Sequence, residues 1–439
     1  MSGPPSNDLP APAWRFLLPA GLAELACLIA LGWWPGAGVP WVRLLLFGGA
    51  FTAYALAATR VKDARGGALL VWGVAIALRL ALLPVEPALS GDVYRYLWDG
   101  HVQSGGFSPF AHIPLDPDLA GMRTAWFGLI PDAGTPTPYA PLAQLVFLAL
   151  SVAGGAVIQA KLLWIGLDLG TGWLLGRIAL HTGRSRRLTQ LLYLWSPLLV
   201  VEVAWSGHLA PLALFPLALL VLLVRVPAVA GAAAGLSAMV APISLAAVPA
   251  LARRLGYRFL LGCAAGLGVA ALPYALSGWA TVGGSFRVFH EARFLEGPFL
   301  LLESAVPGAM APRYAALAVV LGVSVWGASK HMRAERALLW VLGAALLVTP
   351  VLRPWYALWI LPFAALRISK PWLLFTGLVL LAYAGPSAMP DPSLPGAVAA
   401  RILPVWVHLA VWLPLLILLA REGHQSWRAR FPNAPMPQG

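Results

Sequence analysis

Apolar runs of about the length that a membrane-spanning helix needs recur along almost the whole sequence. Crossing the hydrocarbon core of a bilayer takes ~20 apolar residues, and a helix satisfies its backbone hydrogen bonds there within one segment. Hydrophobic residues make up 60% of the chain and charged residues 11%, whereas soluble domains carry roughly 25% charge. The sequence therefore predicts an all-α, polytopic membrane protein whose residues 1–439 form one unit without a separate soluble domain.

The net charge of +13 is distributed in short basic clusters between the apolar runs. Cytoplasmic loops of membrane proteins carry such an excess of Lys and Arg, so the predicted partner is the lipid bilayer and not nucleic acid. Cys27 and Cys263 lie inside apolar runs without ligand spacing, which predicts neither a disulfide framework nor a cysteine metal site. Residues 1–15 lack the basic start and the cleavage site of a signal peptide, so the first helix is predicted to be an uncleaved anchor.

The basic clusters also orient the chain. We predict the first three spans at 16–35, 41–59 and 67–85, with three basic residues between the second and the third. That basic loop is predicted to be cytoplasmic, so the chain leaves the third span on the outer side. The same rule predicts about 11 spans, among them 188–205 and 371–385, with outer loops at 86–159 and 277–310 and cytoplasmic tails at 1–15 and 421–439.

Two apolar runs are predicted not to cross the membrane. If 140–157 and 160–180 were both spans, the basic segment 181–187 would lie outside, against the charge rule. We therefore expect 140–157 to be a juxtamembrane or re-entrant helix on the outer side. Run 227–252 has basic residues at both ends and Pro242 inside, which predicts a pair of short helices that enter and leave from the cytoplasm.

The segment LSGDVYRYLWDG, residues 89–100, concentrates polar and aromatic residues where the chain emerges on the outer side. In a helix, residues three, four and seven apart share one face. That face would contain Asp92, Arg95, Tyr96 and Asp99. A structural interpretation makes Asp92 an N-cap, Arg95 and Asp99 a surface ion pair, and the aromatic residues an interfacial belt. A functional interpretation makes Asp92 a general base, because a carboxylate at the mouth of a span is partly desolvated.

Further groups of polar and aromatic residues fall on the predicted outer side. They are Tyr139 with Gln144, Lys161 at the outer end of a span, Glu202 with His208, Arg287 with His290 and Arg293, and Arg353 with Trp355 and Tyr356. Each group also has a structural interpretation as a turn, an interfacial helix or an aromatic belt. The outward arginines oppose the positive-inside bias, so an anionic partner is predicted. No Walker loop, dinucleotide fingerprint or zinc motif is present, so no nucleotide substrate is predicted.

Four motifs, in this order, carry a resemblance to a known family. They are GDVYRYLWDGHVQSGGFSPF at 91–110, PYAPLAQ at 138–144, SPLLVVEVAWSGH at 196–208 and TPVLRPWYALWILP at 349–362. Over about 67–420 the chain resembles bacterial GT-C glycosyltransferases that use a polyprenyl-phosphate sugar, especially polyprenol-phosphate-mannose-dependent mannosyltransferases related to glycosyltransferase family 87. The resemblance implies a GT-C-type transmembrane bundle in the bacterial cytoplasmic membrane, with both termini inside and the active site outside.

The resemblance also implies roles for individual residues. The acid in the first large outer loop is the proposed catalytic base of such enzymes and maps onto Asp92, and Asp99 becomes a supporting or acceptor-binding residue. The candidate cations for the phosphate of the carrier lipid are Lys161, Arg287, Arg293 and Arg353. The expected donor is a polyprenyl-phosphate hexose, with mannose preferred, and the expected acceptor is a glycolipid or glycan of the cell envelope. No cofactor is expected, and a divalent metal is compatible but not expected.

Three positions depart from the family pattern. Ala210 stands where an Asp often follows the SGH motif, and Arg353 stands where a His often precedes PWY. Val240 and Ala241 occupy the place of an expected Lys. The first two departures touch the predicted site, so the sugar and the acceptor stay open.

The predicted reaction is an inverting transfer, in which Asp92 takes a proton from the acceptor hydroxyl as that oxygen attacks the anomeric carbon. Polyprenyl phosphate leaves as a stable anion, so the second carboxyl group of glycoside hydrolases is not required. Tyr96 and Trp98 are candidates to stack on a sugar or to line the lipid entry. Two alternatives stay open: a transporter or flippase, which predicts matched broken helices in repeated halves, and a polymerase or ligase that consumes a lipid-linked glycan.

Overall fold

The computed structural model of the protein describes residues 14–61, 67–278, 293–384 and 403–430. Across these ranges the chain is helical and contains no β-strand, apart from one isolated bridge between Phe294 and Val351. The predicted all-α class is therefore confirmed for the described part of the chain.

Most of the described helices follow one another closely, and residues 105–140 are the longest fully described stretch without an α-helix. The α-helices are α1 (Trp14–Trp33), α2 (Pro40–Arg60), α3 (Gly67–Leu82), α4 (Asp92–Ser104), α5 (Pro141–Val152), α6 (Val157–His181), α7 (Arg186–Leu194), α8 (Pro197–Val200), α9 (Ala210–Leu222), α10 (Pro227–Ala238), α11 (Val248–Leu255), α12 (Tyr257–Leu276), α13 (Phe299–Ala305), α14 (Ala311–Ser329), α15 (Ala334–Leu347), α16 (Leu361–Arg367), α17 (Lys370–Leu378) and α18 (Val405–Arg430). A π-helix spans Val201–Trp205, and 3₁₀-helices span Pro35–Gly38, Pro117–Met122, Phe127–Leu129, Pro242–Ala247, Pro354–Trp359 and Val379–Ala384.

Five of the described helices are long and apolar enough to cross a membrane. They are α1, α2, α12, α14 and the part Val405–Gln425 of α18. The run predicted as one span at 188–205 is a pair of helical segments bent by 50° at their break. Large apolar side chains point out of the bundle, such as Leu69, which is 85% exposed, and Leu45, which is 67% exposed. These features fit a bundle solvated by lipid, and the total of about 11 spans stays a prediction.

Helix α5 is short, as predicted for the non-spanning run at 140–157. Its 12 residues extend ~18 Å, less than the ~30 Å hydrocarbon core of a bilayer. It ends before Gly154 and Gly155, whose φ angles of +123° and +66° do not continue a helix. The predicted break inside 227–252 is also present, because α10 and α11 are separate helices and a 3₁₀-helix begins at Pro242.

A buried ion pair joins α3, α6 and α7. Arg79 Nε donates to Asp168 Oδ2 at 2.7 Å, and both side chains are buried. Arg79 Nη1 also donates to the Leu194 carbonyl at the end of α7, again at 2.7 Å. Ionised groups at membrane depth are costly unless they are paired. The pair therefore holds the end of α7, and with it the start of the segment 197–205 that carries part of the candidate site.

Helices α4 and α5 pack backbone against backbone. A Cβ atom at Gly100 would clash with the Phe147 carbonyl oxygen, so the approach requires glycine. The same kind of contact joins α10 to α12, where a Cβ atom at Gly231 would clash with the Phe259 carbonyl oxygen. The first of these contacts brings α5 against the helix that starts with Asp92.

Candidate active site

Helix α4 begins at Asp92. Gly91 is the N-cap, and the Asp92 N–H donates to Ser90 Oγ at 3.2 Å. The interpretation of Asp92 as the N-cap is therefore wrong, because Asp92 is the first helical residue and its carboxylate does not cap the helix. The Asp92 side chain is 21% exposed, so it is accessible at the end of an otherwise buried helix.

The surroundings of Asp92 suit a base that works near neutral pH. Burial raises the pKa of Asp92 to about 6, although the positive charge of Arg353 opposes that rise. Smaller contributions come from Asp132, which raises the pKa, and from Ser90 and Arg95, which lower it. A carboxylate with this pKa is ionised at neutral pH and is a stronger base than an exposed aspartate.

His208 lies between Asp92 and a second acid, Glu202. His208 Nδ1 is 3.7 Å from Asp92 Oδ2, and His208 Nε2 is 3.4 Å from Glu202 Oε2. The His208 and Glu202 side chains are buried, so within this group only Asp92 is accessible. Burial, together with a smaller contribution from the positive charge of Arg353, lowers the pKa of His208 to about 3. The imidazole is therefore neutral near pH 7.

A π-helix and a glycine turn place these two side chains. Glu202 lies in the π-helix Val201–Trp205, and its carbonyl accepts the His208 N–H at 2.8 Å. Gly207 has a φ angle of +74°, which L side chains rarely adopt. The reversal at Gly207 brings the His208 ring against the first turn of α4. Segments of π-helix are frequent at functional sites.

Arg353 reaches the same site from the C-terminal half of the chain. The residues before it pair with an extended segment: the Phe294 N–H donates to Pro350 O at 3.1 Å, and the Leu352 N–H donates to Phe294 O at 2.7 Å. The Arg353 guanidinium lies 4.8 Å from the ring centroid of Phe294 and 5.9 Å from that of Trp355. Arg353 forms no ion pair within the described ranges. Its charge therefore suits an anionic ligand beside Asp92.

Aromatic rings enclose the histidine. Trp355 stacks on His208 with centroids 4.1 Å apart and an interplanar angle of 22°. Tyr356 meets Trp355 edge-on at 6.1 Å. From α4, the Tyr96 hydroxyl lies 3.5 Å from His208 Nδ1, and the Tyr96 ring meets Tyr139 edge-on at 5.0 Å. The structure thus brings together the predicted residues Asp92, Tyr96, Tyr139, Glu202, His208, Arg353, Trp355 and Tyr356.

Asp99 lies two turns further along α4, in a different environment. Arg95 Nε donates to Asp99 Oδ1 at 2.9 Å, and Gln144 Nε2 donates to Oδ2 at 2.8 Å. Thr137 Oγ1 also donates to Oδ2. The Arg95 and Asp99 side chains are 3% and 1% exposed, so the interpretation of this pair as a surface ion pair is wrong. Arg95 also donates to the backbone carbonyls of Asp132 and Thr135, so this cluster ties α4 to α5 and to the loop between them.

Two further predicted residues contact protein groups away from His208. Trp98 is buried and packs edge-on against Phe127 with centroids 5.1 Å apart. Lys161 Nζ donates to the carbonyl oxygens of Val85 and Leu83 at 2.5 Å and 3.4 Å. The two hydrogen bonds of Lys161 join α6 to the end of α3 and to the following turn. The predicted binding roles of Trp98 and Lys161 stay predictions.

The predicted cations of the second outer loop are described only in part. Arg293 pairs with Glu296 at 3.1 Å and with Glu303 at 2.5 Å. The side chain of Arg293 is 47% exposed. Arg287 and His290 lie outside the described residues. Phosphate binding by any of these three residues stays a prediction.

One group of side chains in the loop between α4 and α5 has the composition of a metal site. Ligand atoms of His112, Asp116 and Asp118 lie within 4.8 Å of one another. Asp116 Oδ1 accepts the Asp118 N–H at 3.1 Å, and His112 Nδ1 lies 3.1 Å from the Ser108 carbonyl oxygen. Both contacts are typical of tight turns, and exposed acidic groups are common without an ion. No step of the function below involves these residues.

Comparison with known proteins places the chain in a family. Residues 21–256, more than half of the chain, match the family described as Alpha-(1->6)-mannopyranosyltransferase, N-terminal domain. The chain belongs to this family. Its curated relative Alpha-(1->6)-mannopyranosyltransferase A of Corynebacterium glutamicum is 29% identical over 141 residues, which are 30% of this chain and 27% of that relative. The chain thus matches about a quarter of that relative's length. No solved structure matches the chain.

The residues that match the family include the acids and the histidine of the site but not its arginine and tryptophan. Asp92, Glu202 and His208 lie inside residues 21–256, whereas Arg353 and Trp355 lie beyond them. The resemblance noted from the sequence motifs is confirmed by the family match. The contacts of Arg353 and Trp355 are observations of this structure alone.

Two residues with hydrogen bonds to the site's acids are absent from the sequence prediction. Tyr383 lies in a 3₁₀-helix at the end of a predicted span, and its hydroxyl donates to Glu202 Oε1 at 2.5 Å. Thr137 lies just before the predicted residue Tyr139 and donates to Asp99. No periodicity distinguishes Tyr383 in its apolar run. Thr137 had a weak signal, since it stands in the Pro-rich segment that leads into Gln144.

Proposed function

We propose that the protein transfers mannose from a polyprenyl-phosphate-linked donor to a glycolipid or glycan acceptor on the outer face of the bacterial cytoplasmic membrane. Membership in a mannopyranosyltransferase family supports the sugar. The observation that carries the proposal is the juxtaposition at Asp92: an accessible carboxylate with a raised pKa beside the cation Arg353. A base for an acceptor hydroxyl and a cation for a phosphate are the two groups that this reaction requires.

Asp92 acts as the general base. Its pKa of about 6 leaves it ionised at neutral pH and able to accept a proton as the acceptor oxygen attacks the anomeric carbon. The attack is direct, so the anomeric configuration inverts. A positioned base of this kind typically contributes ~10²–10⁴-fold to the rate.

Arg353 stabilises the departing phosphate. Negative charge develops on the phosphate oxygens as the glycosidic bond breaks, and a preorganised cation lowers the energy of that transition state. The guanidinium is fixed by the rings of Phe294 and Trp355, and its planar donors suit a phosphate group. The leaving phosphate is a stable anion, so no general acid is needed.

The side of the membrane follows from the distribution of charge. Basic residues such as those at 253–254 and 184–187 are grouped in connections predicted to be cytoplasmic, whereas Asp92 and Arg353 belong to connections of the opposite side. On this topology both termini are cytoplasmic. The acceptor and the donor headgroup meet outside, and the polyprenyl chain stays in the bilayer.

A transfer assay tests the proposal. Purified protein in detergent is incubated with a polyprenyl-phosphate donor that carries radiolabelled mannose and with an extract of envelope glycolipids as acceptor. We expect labelled product that is one hexose larger than the acceptor. Asp92→Asn is expected to abolish transfer, while Asp118→Asn, the same change at an exposed aspartate of the outer loop, leaves it intact.

The outcome also separates the alternatives. Addition of long glycan blocks in place of single hexoses would favour a polymerase or ligase. Movement of labelled lipid across proteoliposomes without any sugar transfer would favour a flippase. Full transfer by a folded Asp92→Asn protein would refute the assignment of the base.

A further inference from the structure

A chain of buried polar groups extends behind Asp92, away from the accessible side of the site. It runs from Tyr383 through Glu202 to His208, and it joins two segments that are far apart in sequence. The mechanism above uses only the accessible end, Asp92. Glu202 and His208 are 0% and 1% exposed, so neither side chain is accessible to a substrate.

Two polar atoms in this chain face each other and have no hydrogen-bond partner among the described residues. They are Glu202 Oε2 and His208 Nε2, at a separation of 3.4 Å. No Lys or Arg pairs with Glu202 in the described part. A carboxylate buried without a cation is costly, and a carboxylic acid is far less so. We therefore assign a proton to Glu202 Oε2, directed at His208 Nε2.

This proton on Glu202 determines which atom donates in each hydrogen bond from Tyr383 to His208. The Tyr383 hydroxyl donates to Glu202 Oε1 at 2.5 Å. Glu202 Oε2 then donates to His208 Nε2, which leaves the ring proton on Nδ1. His208 Nδ1 faces Asp92 Oδ2 at 3.7 Å and the Tyr96 hydroxyl at 3.5 Å. The carboxylate is the charged acceptor of the two and therefore the stronger one, and such bonds often tighten only when the substrate is bound. The neutral ring agrees with the lowered pKa of His208, and the stack on Trp355 holds its plane.

We propose that Tyr383, Glu202 and His208 form a chain of hydrogen-bond donors that ends on Asp92 and sets the orientation and charge of its carboxylate. This inference rests on the proposed function, in which Asp92 is the base. Glu202 and His208 are then positioning residues, and the chain neither consumes nor releases a proton during transfer. The accessible oxygen of Asp92 stays available for the acceptor hydroxyl.

If these residues form a chain of hydrogen-bond donors, two substitutions of Glu202 should have different effects on activity. Glu202→Gln keeps a donor toward His208 Nε2 and an acceptor for the Tyr383 hydroxyl, so we expect kcat within about threefold of wild type. Glu202→Leu has a similar volume and lacks both groups. A buried polar group left without its hydrogen-bond partner, here His208 Nε2, costs about 5- to 100-fold, and we expect a fall in kcat of that size with little change in KM.

A second pair of substitutions acts on the histidine. His208→Asn keeps an amide donor near the position of Nδ1, whereas His208→Phe keeps a ring to stack on Trp355 but has no donor. Without the donor the ionised form of Asp92 is less stable. We therefore expect the acidic limb of the pH–kcat profile to move to higher pH by about one unit in His208→Phe, and much less in His208→Asn.

Other ionisable groups around Asp92 are unchanged in these variants. In the described part of the chain they are Arg95, Tyr96, Asp132, Tyr139, Arg353, Tyr356 and Tyr383. A displaced acidic limb is therefore attributable to the lost donor. A purely structural role for His208 would lower the amount of active protein without moving the limb.

The experiment measures transfer against pH for wild type and the four variants, with the Tm of each purified protein as the check on folding. Wild-type transfer that Asp92→Asn abolishes establishes the proposed function independently. The donor chain is supported if Glu202→Gln is active, Glu202→Leu is impaired and His208→Phe moves the limb. It is overturned if Glu202→Gln is as impaired as Glu202→Leu, or if the limb stays in place. If Glu202→Leu does not fold, Glu202→Gln and His208→Phe decide the question.

Discussion

Helix α4 carries two aspartates on one face that have opposite surroundings. Asp99 is 1% exposed, and Arg95, Thr137 and Gln144 donate to its two oxygens. Asp92, seven residues earlier and ~10 Å away along the helix axis, is 21% exposed, and His208 Nδ1 lies 3.7 Å from its Oδ2.

The difference shows how one helix serves both structure and chemistry. A carboxylate surrounded by donors is held in place, and most of its acceptor sites are already occupied. A carboxylate that is buried but poorly supplied with donors is a stronger base, because its charged form is less stabilised. Asp99 therefore suits a structural role, and Asp92 suits proton abstraction.

The largest effect is expected at the structural aspartate. Asp99→Asn turns an acceptor into a donor beside three donors and leaves Arg95 buried without its partner. Breaking a buried pair in this way costs about 3–5 kcal/mol, measured as the free energy of unfolding in detergent. Asp118→Asn is the control and should lie within about 0.5 kcal/mol of wild type. Wild-type stability of Asp99→Asn would contradict the structural assignment.

The contrast between the two aspartates was only partly predictable from sequence. The helical period places Asp92, Tyr96 and Asp99 on one face, and the structure confirms that face. Periodicity does not tell which acid is buried, because the donors to Asp99 include Thr137 and Gln144, 38 and 45 residues away. The sequence also pointed to a surface ion pair, since neighbouring residues alone do not show that the outer loop covers Arg95.

The fold was predictable to the same degree. Apolar runs and basic clusters indicated the helical class and the short helices at 140–157 and 227–252. The bend of 50° inside 188–205 was missed, although Pro197 stands at the break and the residue before a proline disfavours helix. Tyr383 lies 181 residues from Glu202, and no local pattern predicts so distant a contact.

The next largest effect is expected at Arg353, whose positive charge acts on Asp92 at the start of the helix. Arg353→Gln removes the charge aimed at the departing phosphate, and loss of one such group lowers kcat by about 10²–10³-fold. It also removes a charge that keeps the pKa of Asp92 down, so the acidic limb of the pH–rate profile should move to higher pH. Arg353→Lys should retain the limb and part of the rate.

The same assay supplies the control for Arg353. Arg123→Gln alters an exposed arginine of the outer loop that lies over Phe127 and should leave both the rate and the limb unchanged. An Arg353→Gln protein with a normal rate and an unmoved limb would show that Arg353 acts on neither the phosphate nor Asp92.

A smaller effect should appear in the stability of Asp92→Asn. The folded-state pKa of Asp92, about 6, lies above the ~3.9 of an unfolded aspartate. The ionised form is thus disfavoured by folding, so the carboxylate costs stability above pH 6 and costs nothing below about pH 4. Asp92→Asn should be more stable than wild type by about 1–3 kcal/mol at pH 7.5, and the gain should vanish as pH falls to 4. Unfolding titrations at several pH values measure this, and a constant difference across pH would refute it.

The smallest expected effect comes from a substitution in the turn before His208, compared with the same substitution in a turn away from the site. Gly207→Ala places a side chain at a φ of +74° and puts its Cβ atom 3.2 Å from Val93 Cγ2, in the first turn of α4. Gly106→Ala has the same kind of strain, at a φ of +85°, with no atom within 4 Å of its Cβ. Both variants should lose about 1 kcal/mol of stability. Only Gly207→Ala moves His208 relative to Asp92, so only that variant should transfer mannose more slowly. Equal slowing in both variants would mean that the geometry of this turn does not affect the base.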